Sequence, residues 1–254
     1  MNKIRISTVR YANSYPMNWG LLNGPVSSLI DIEFDHPSGV ARKLISGEAD
    51  IGLVPVAAIP ELNSPVIIGS YCIGTKGTVR TVMLMSNTPI QEIDTIWLDY
   101  RSVTSVNLAR VLARDLWKKD FRWENPGSGF DFSGIKGGEG IVIIGDQCFE
   151  LENQFSYTYD LGEAWLTLTG LPFVFACWVA VNNPDSQFIS IFDKSIEYGI
   201  SQTSAAISKM NTLTTVSNEQ LEIYLRENID YNMDSKKKEA MNLFLQKIKS
   251  INSK

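Results

Sequence analysis

The chain has 254 residues, of which 44% are hydrophobic and 20% charged, a composition typical of a globular protein with a sizeable core. The net charge of −5 argues against a nucleic-acid-binding surface, because phosphate contacts require clustered lysine and arginine side chains. The longest apolar stretch, 171–181, has about half the roughly 20 residues that a membrane-spanning helix needs, so no membrane partner is predicted. The first residues lack an apolar run before a small-residue cleavage site, so we expect an unexported, cytoplasmic protein.

The first part of the chain alternates predicted strands with short helices. Ser38 is placed to cap a helix that Gly47 is placed to end, and a second short helix is predicted over 55–62. This β-α-β-α-β order is typical of a mostly parallel sheet covered by helices. The predicted strands of this part are 3–9, 29–34 and 49–54.

The middle of the chain continues the alternation. Apolar residues recur with helical spacing after the strand 95–99, and Ser102 or Thr104 is placed to cap that helix. The glycine-rich stretch 125–140 predicts a loop. The predicted strands are 80–86, 95–99, 141–144 and 173–181, and the predicted helices are 103–116 and 160–169.

Beyond Asp185 the patterns are helical and no strand is predicted. Ser217 and Gln220 have the spacing of a capping box, and the lysine run 236–238 is interpreted as a solvated helix face. The predicted helical stretches are 185–210, 217–229 and 234–251.

An α/β body followed by a helical tail fits a chain that leaves one lobe, builds a second and returns. We therefore predict a two-lobed α/β fold, each lobe a mostly parallel sheet flanked by helices, with a ligand cleft between the lobes. Lobe 1 is predicted at 1–86 plus 182–254, and lobe 2 at 87–181.

The common catalytic signatures are absent: there is no nucleophile elbow, phosphate loop, H-E-x-x-H helix or dinucleotide fingerprint. His36, the single histidine, precedes a proline in an apparent surface turn and is interpreted as structural, and a histidine-rich metal site is excluded. The cysteines lack the C-x-x-C spacing of a zinc or redox site, so structural thiols are predicted. They are Cys72, Cys148 and Cys177.

Four polar clusters lie at the ends of predicted strands. Three of them carry amide, hydroxyl or guanidinium donors, which predict a small acidic ligand, and the fourth is a carboxylate. Each also has a structural interpretation: a simple turn for the first, an internal ion pair for Arg80, and helix capping for the last two. The candidate residues are Arg10, Tyr11, Asn13 and Ser14; Arg80 and Thr81; Arg101, Ser102, Thr104 and Ser105; and Asp146.

Several motifs are specific when their order and spacing are taken together. They are Tyr11–Pro16, Gly47–Pro55, Arg101–Ser105, Ile144–Asp146, Asp160–Gly162 with Trp165, Thr169–Ala176, and Tyr224 with Ile229–Tyr231. In these motifs the chain resembles the chorismate dehydratases of menaquinone biosynthesis by the futalosine pathway. The resemblance covers most of the chain and implies the fold of class II periplasmic binding proteins.

The resemblance implies a carbon–oxygen lyase that converts chorismate to 3-[(1-carboxyvinyl)oxy]benzoate by loss of water, without a cofactor or metal. It implies that Asn13 holds the reacting region of the substrate and that Thr81 replaces a family serine near the leaving hydroxyl. A carboxylate would be bound by Ser102, Thr104 and Ser105. Catalysis would consist of positioning, with the substrate's enolpyruvyl carboxylate taking the C3 proton.

Two other functions fit the same fold. One is a cytoplasmic protein that binds a small carboxylate without converting it, since fold alone does not fix function. The other is the related 1,4-dihydroxy-6-naphthoate synthase, for which a catalytic histidine in the cleft is expected. The sequence leaves open the oligomeric state, the arginines that face the cleft, and the transfer of product to the next enzyme.

Overall fold

The computed structural model describes residues 3–99, 102–126, 130 and 134–252. Eleven strands lie in these ranges: β1 (Ile4–Val9), β2 (Ile30–Asp35), β3 (Ile51–Pro55), β4 (Val66–Thr75), β5 (Val82–Ser86), β6 (Thr95–Leu98), β7 (Arg122–Glu124), β8 (Glu139–Ile144), β9 (Tyr157–Asp160), β10 (Phe173–Ala180) and β11 (Asp230–Asn232). The α-helices there are α1 (Tyr15–Asn23), α2 (Pro37–Ser46), α3 (Val103–Leu112), α4 (Gln147–Leu151), α5 (Leu161–Thr169), α6 (Ser186–Ser201), α7 (Thr203–Met210), α8 (Asn218–Ile223) and α9 (Ser235–Asn252).

The chain divides into two compact units. The first unit comprises Met1–Gly74 and Val174–Asp234, and the second comprises Thr75–Phe173 and Ser235–Lys254. These divisions differ from the predicted boundaries at 86 and 182. Strand β5 belongs to the second unit because it pairs with β8 and β9, and helix α9 belongs there because it packs on α3.

The first unit contains a six-stranded sheet in the order β11-β4-β10-β3-β1-β2. Strand β1 runs parallel to both β2 and β3, whereas β10 is antiparallel to β3 and β11 is antiparallel to β4. The carboxyl ends of β1, β2 and β3 therefore lie at one edge of the sheet. The segment that follows β1 begins at this edge.

The second unit contains a five-stranded sheet in the order β7-β6-β8-β5-β9. Strand β6 is parallel to β7 and β8, and β5 is antiparallel to β8 and β9. Both sheets are thus mixed, with more antiparallel pairing than the sequence predicts. The pairing brings the carboxyl ends of β6, β8 and β9 and the amino end of β5 to one edge.

Local signals predicted several helix ends. Gly47 ends α2 with φ at 72°, in the left-handed region that favours glycine, and the Ser217–Gln220 capping box is formed at α8. The prediction for Ser38 is wrong, because α2 begins at Pro37 with His36 at its N-cap. Proline fits the first helical position, where its missing N–H costs nothing.

The predicted helical tail misses strand β11, which pairs with β4. The prediction that lysines 236–238 form a solvated face is wrong for Lys237, which is fully buried while Lys236 and Lys238 are exposed. Lys237 shares the buried face of α9 with Ala240 and Phe244. Helical spacing puts these residues on one side of the helix, so packing decides the burial of this lysine.

Aromatic side chains fill the core of each unit. In the second unit Trp165, Phe173 and Phe244 meet edge to face, and in the first unit Trp178 packs against Phe192 in the same way. Both tryptophans are fully buried, so they are packing residues of the two cores. All three cysteines are buried and form no disulfide, as predicted for structural thiols. Within the described ranges, no helix combines the length and apolarity needed to span a membrane.

Candidate functional site

The segment after β1 is held by a buried polar network around Asn18. The Asn18 amide nitrogen donates to the carbonyl oxygen of Val9 at 2.8 Å and to the hydroxyl of Ser14 at 2.9 Å. Its amide oxygen accepts from the Thr8 hydroxyl at 2.9 Å. The Ser14 hydroxyl lies 2.7 Å from the carbonyl oxygens of Val9 and Tyr11, so its hydrogen bonds stabilise this turn. Asn18 lies inside α1 and was not among the predicted candidates.

Asn13 lies on the turn that this network fixes. Its side chain is half-buried, and its Oδ1 atom is buried without a hydrogen-bond partner. Its backbone carbonyl accepts from the Tyr231 hydroxyl at 3.0 Å, and burial raises the pKa of that tyrosine, which keeps it a donor. A buried polar atom without a partner is uncommon in a native fold, so Asn13 is well suited to receive a ligand donor.

Arg10 and Tyr11 precede this turn. Arg10 is exposed, with its guanidinium carbon 4.8 Å above the ring of Phe34, whereas Tyr11 is half-buried. The cation–π contact orients the arginine without neutralising it. The predicted cluster of the first unit therefore combines one exposed cation with the amide of Asn13.

Three of the predicted clusters meet at one edge of the sheet in the second unit. Val82 pairs with Ile144, so Thr81 and Asp146 flank the same edge, and the Gly145 N–H donates to the Thr81 carbonyl at 2.8 Å. Leu98 pairs with Val142, which brings the start of α3 to this edge as well. We call this edge, with Arg80, Thr81, Ser102, Thr104, Ser105 and Asp146, the hydroxyl edge.

The first turn of α3 supplies three hydroxyl groups to the hydroxyl edge. The Ser102 hydroxyl caps the helix by accepting from the Ser105 N–H at 3.3 Å, and the two serine hydroxyls lie 3.0 Å apart. Thr104 is fully buried beside them. The Ser102 hydroxyl therefore serves as the cap of α3. The N-terminus of a helix also favours the binding of an anion. Arg101 lies outside the described residues.

Arg80 is paired within the fold, which is one of the two interpretations left open by the sequence. Its Nη2 atom lies 3.1 and 3.2 Å from the carboxylate oxygens of Glu152, and its guanidinium carbon lies 5.6 Å from the ring centre of Phe149. The side chain is 36% exposed. Asp146 is half-buried in the turn before the short helix α4.

Asp160, which was not among the candidates, makes several hydrogen bonds near the hydroxyl edge. Its carboxylate accepts four backbone N–H groups, two from the start of α5 and two from the turn before β5. Burial raises the pKa of this carboxyl, and the four N–H donors oppose that shift. An aspartate just before a helical pattern signals a cap, but nothing local signals the contact with the distant turn.

His36 is exposed at the start of α2 and belongs neither to the cluster after β1 nor to the hydroxyl edge. Within the described ranges, no three histidine, cysteine, aspartate or glutamate side chains are arranged to hold a metal ion. The donor groups of the first-unit cluster and of the hydroxyl edge, each in its own unit, are hydroxyl, amide and guanidinium groups. Such a set recognises oxygen-rich anions.

Comparison with known proteins defines the family. A family model described as menaquinone biosynthesis matches residues 4–250. The chain belongs to this menaquinone biosynthesis family. A relative from Thermus thermophilus, named chorismate dehydratase, is 26% identical over 188 residues. That match covers 66% of this chain and 66% of the relative, so it spans just under two thirds of the relative's length.

Solved structures show the same fold at low sequence identity. A protein from Archaeoglobus fulgidus is 12% identical with a TM-score of 0.75, covering 99% of this chain and 98% of its own. A Candida albicans protein described as having the generic periplasmic binding protein fold is 14% identical with a TM-score of 0.71, covering 100% and 91%. The aliphatic sulphonate binding protein from Escherichia coli is 15% identical with a TM-score of 0.65, covering 100% and 87%. These likenesses confirm the predicted α/β fold class.

Proposed function

We propose that this member of the menaquinone biosynthesis family is a chorismate dehydratase of the futalosine pathway that acts in the cytoplasm. The reaction yields 3-[(1-carboxyvinyl)oxy]benzoate and water. The observation that carries the proposal is the hydroxyl edge, where Thr81 and the α3 hydroxyls gather at one end of one sheet. The chorismate dehydratase among the relatives supports the same substrate.

The chemistry needs little from the protein beyond orientation. The C3–H and C4–O bonds of chorismate break, a C3=C4 double bond forms, and the proton and hydroxide leave as water. No oxidant or reductant takes part, and the ring becomes aromatic, which makes the reaction strongly favourable. The enzyme must hold the ring and both carboxylates so that the proton reaches its acceptor.

In this proposal each candidate has a defined role. Asn13 holds the reacting region through its amide, and Thr81 donates a hydrogen bond near the departing C4 hydroxyl. The hydroxyls of Ser102, Thr104 and Ser105 bind a carboxylate at the helix start. The substrate's own enolpyruvyl carboxylate accepts the C3 proton, so no protein base is required.

The remaining candidates contribute to binding. Arg10 and Tyr11 supply a cation and a hydroxyl at the first sheet, and Ser14 acts through the turn that carries Asn13. Arg80 acts as a paired cation, because Glu152 compensates its charge. Arg101 and Asp146 complete the proposed binding set.

A single incubation tests the proposal. Purified protein with a metal chelator is mixed with chorismate, and the product is followed by mass spectrometry, ultraviolet absorbance and proton NMR. We expect loss of one water and the NMR pattern of a 3-substituted benzoate, at a rate far above that without protein. Bound but unchanged chorismate would instead indicate a binding protein, and absence of binding would refute the proposed ligand.

A further inference from the structure

The carboxylate of Asp160 joins two segments that are far apart in the sequence. Its Oδ1 atom caps α5 by accepting from the N–H groups of Gly162 at 2.9 Å and Glu163 at 3.0 Å. Its Oδ2 atom accepts from the N–H groups of Val79 at 2.9 Å and Arg80 at 2.7 Å. The carboxylate is buried, so these charge-assisted bonds are shielded from water.

The turn that Asp160 holds has an unfavourable backbone conformation. Arg80 has φ at 63°, in the left-handed region that a non-glycine residue adopts at a cost of about 1 kcal/mol or more. The start of α5 also touches this turn directly, because a Cβ at Gly162 would lie 2.6 Å from the carbonyl oxygen of Gly77. The turn therefore depends on contacts from α5 to keep its shape.

Helix capping alone does not require this arrangement. Asp185 caps α6 in the ordinary way, with one bond of 2.7 Å from the N–H of Phe188. Asp160 instead uses its second oxygen for the turn before β5. The next residue along that turn is Thr81, whose side chain is buried and whose carbonyl accepts from Gly145.

We infer that Asp160 is a positioning residue that fixes the turn before β5 and thereby the hydroxyl of Thr81. This inference rests on the proposed function for its catalytic consequence. With the Asp160 bonds removed, the strained turn relaxes and the Thr81 hydroxyl moves away from the leaving group. A displacement of about 1 Å in a positioned group is enough to cost about 100-fold in rate.

Three variants separate positioning from capping. Asp160→Asn leaves one amide oxygen for four N–H donors, and Asp160→Ser keeps a cap for α5 but cannot reach the turn. Asp185→Asn is the matched control, since it makes the same carboxylate-to-amide exchange at the helix cap of α6 in the first unit. We expect kcat for chorismate to fall about 10- to 100-fold in both Asp160 variants with KM changed less than about 3-fold. The kcat of Asp185→Asn should stay within about 2-fold of the wild-type value.

Amide hydrogen exchange gives a readout that does not depend on the substrate. In the wild-type protein the Val79 and Arg80 amides should exchange as slowly as the paired amides of β5, and in Asp160→Ser they should exchange at least about 10-fold faster. Rapid exchange of both amides in the wild-type protein would overturn the inference even if the Asp160 variants failed to fold.

The two proposals fail in different ways. If the wild-type protein converts chorismate and the Asp160 variants keep the kcat of Asp185→Asn, Asp160 is a simple cap and the inference is wrong. If the wild-type protein does not convert chorismate, the proposed function is wrong, and exchange at Val79 and Arg80 then decides the contact by itself.

Discussion

Asn13 is the residue whose side chain has the clearest capacity for a ligand. Because its Oδ1 atom has no hydrogen-bond partner, Asn13→Ala should change the free energy of unfolding by less than about 1 kcal/mol. The same change should abolish chorismate turnover, measured by product absorbance, while circular dichroism stays unchanged. Asn23→Ala, at an exposed position on α1, is the control and should keep full activity. An active Asn13→Ala protein would remove Asn13 from the proposed mechanism.

Thr81 offers a finer test, since two substitutions separate its hydroxyl from its methyl group. Thr81→Val keeps the shape of the side chain but loses the proposed hydrogen bond to the departing C4 hydroxyl. The value of kcat should therefore fall at least about 10-fold. Thr81→Ser keeps the hydroxyl and should cost no more than about 3-fold. Steady-state rates of the two variants decide the point. Equal rates for both variants and the wild-type protein would exclude the hydroxyl from the mechanism.

At the scale of elements, helices α1 and α6 approach each other closely enough that glycine is required. A Cβ at Gly199 would overlap the carbonyl oxygen of Pro16 and crowd the backbone of Gly20. Gly199→Ala should therefore lower the free energy of unfolding by about 3 kcal/mol, measured by urea denaturation. Gly137→Ala is the matched control, because no heavy atom lies within 4 Å of its added Cβ. Equal urea midpoints for Gly199→Ala and Gly137→Ala would mean that α1 and α6 can move apart without a cost in stability.

The hydroxyl edge is also a property of elements rather than of single residues. Strand pairing brings the ends of β6 and β8 and the start of β5 together, although the chain visits them at widely separated points. A polar residue after one strand is ordinary, whereas several at one sheet edge form a binding surface. The strand order is therefore what converts scattered turn residues into a candidate site.

At the scale of the whole molecule, the second unit is built from two separate stretches of chain that an ion cluster joins. Asp115 lies 2.5 Å from Nε of Arg114 and 2.6 Å from Nζ of Lys247, which is on the C-terminal helix α9. Hydrogen bonds from Arg114 and Lys247 hold the pKa of Asp115 well below its usual range. The unfolded chain therefore binds a proton at a higher pH than the folded protein does.

Above pH 4, about the pKa of Asp115 in the unfolded chain, the ionised carboxylate stabilises the folded protein. This stabilisation is lost as the pH falls towards the lower pKa that Asp115 has in the folded protein. Urea denaturation at several pH values should show a falling free energy of unfolding below about pH 4. Asp115→Asn should be less stable at pH 7 and should show a shallower acid limb. Asp120→Asn, at an exposed position in the same unit, should keep the wild-type slope. If the free energy of unfolding of Asp115→Asn and of Asp120→Asn falls equally steeply with decreasing pH, the ion cluster does not couple folding to pH.

Features encoded within a few residues were predictable from the sequence. The end of α2 at Gly47, the capping box at Ser217 and the cap of α3 at Ser102 depend on side chains next to the backbone groups that they satisfy. Ordered motifs also predicted the family and the α/β fold class. The candidate residues of the hydroxyl edge were found because polar residues at strand ends stand out against apolar strands.

Features that depend on contacts between distant segments needed the structure. The pairing of β11 with β4, the burial of Lys237 and the Arg80–Glu152 pair each join parts of the chain with no local signal. The bonds from Asp160 to the turn before β5 span about 80 residues, and only the packed fold brings those atoms together. The sequence by itself determined the fold class, several helix ends and the chemical types available to a site. The tertiary structure decided which of those groups meet, because hydrogen bonds and burial act over a few ångströms in space and not along the chain.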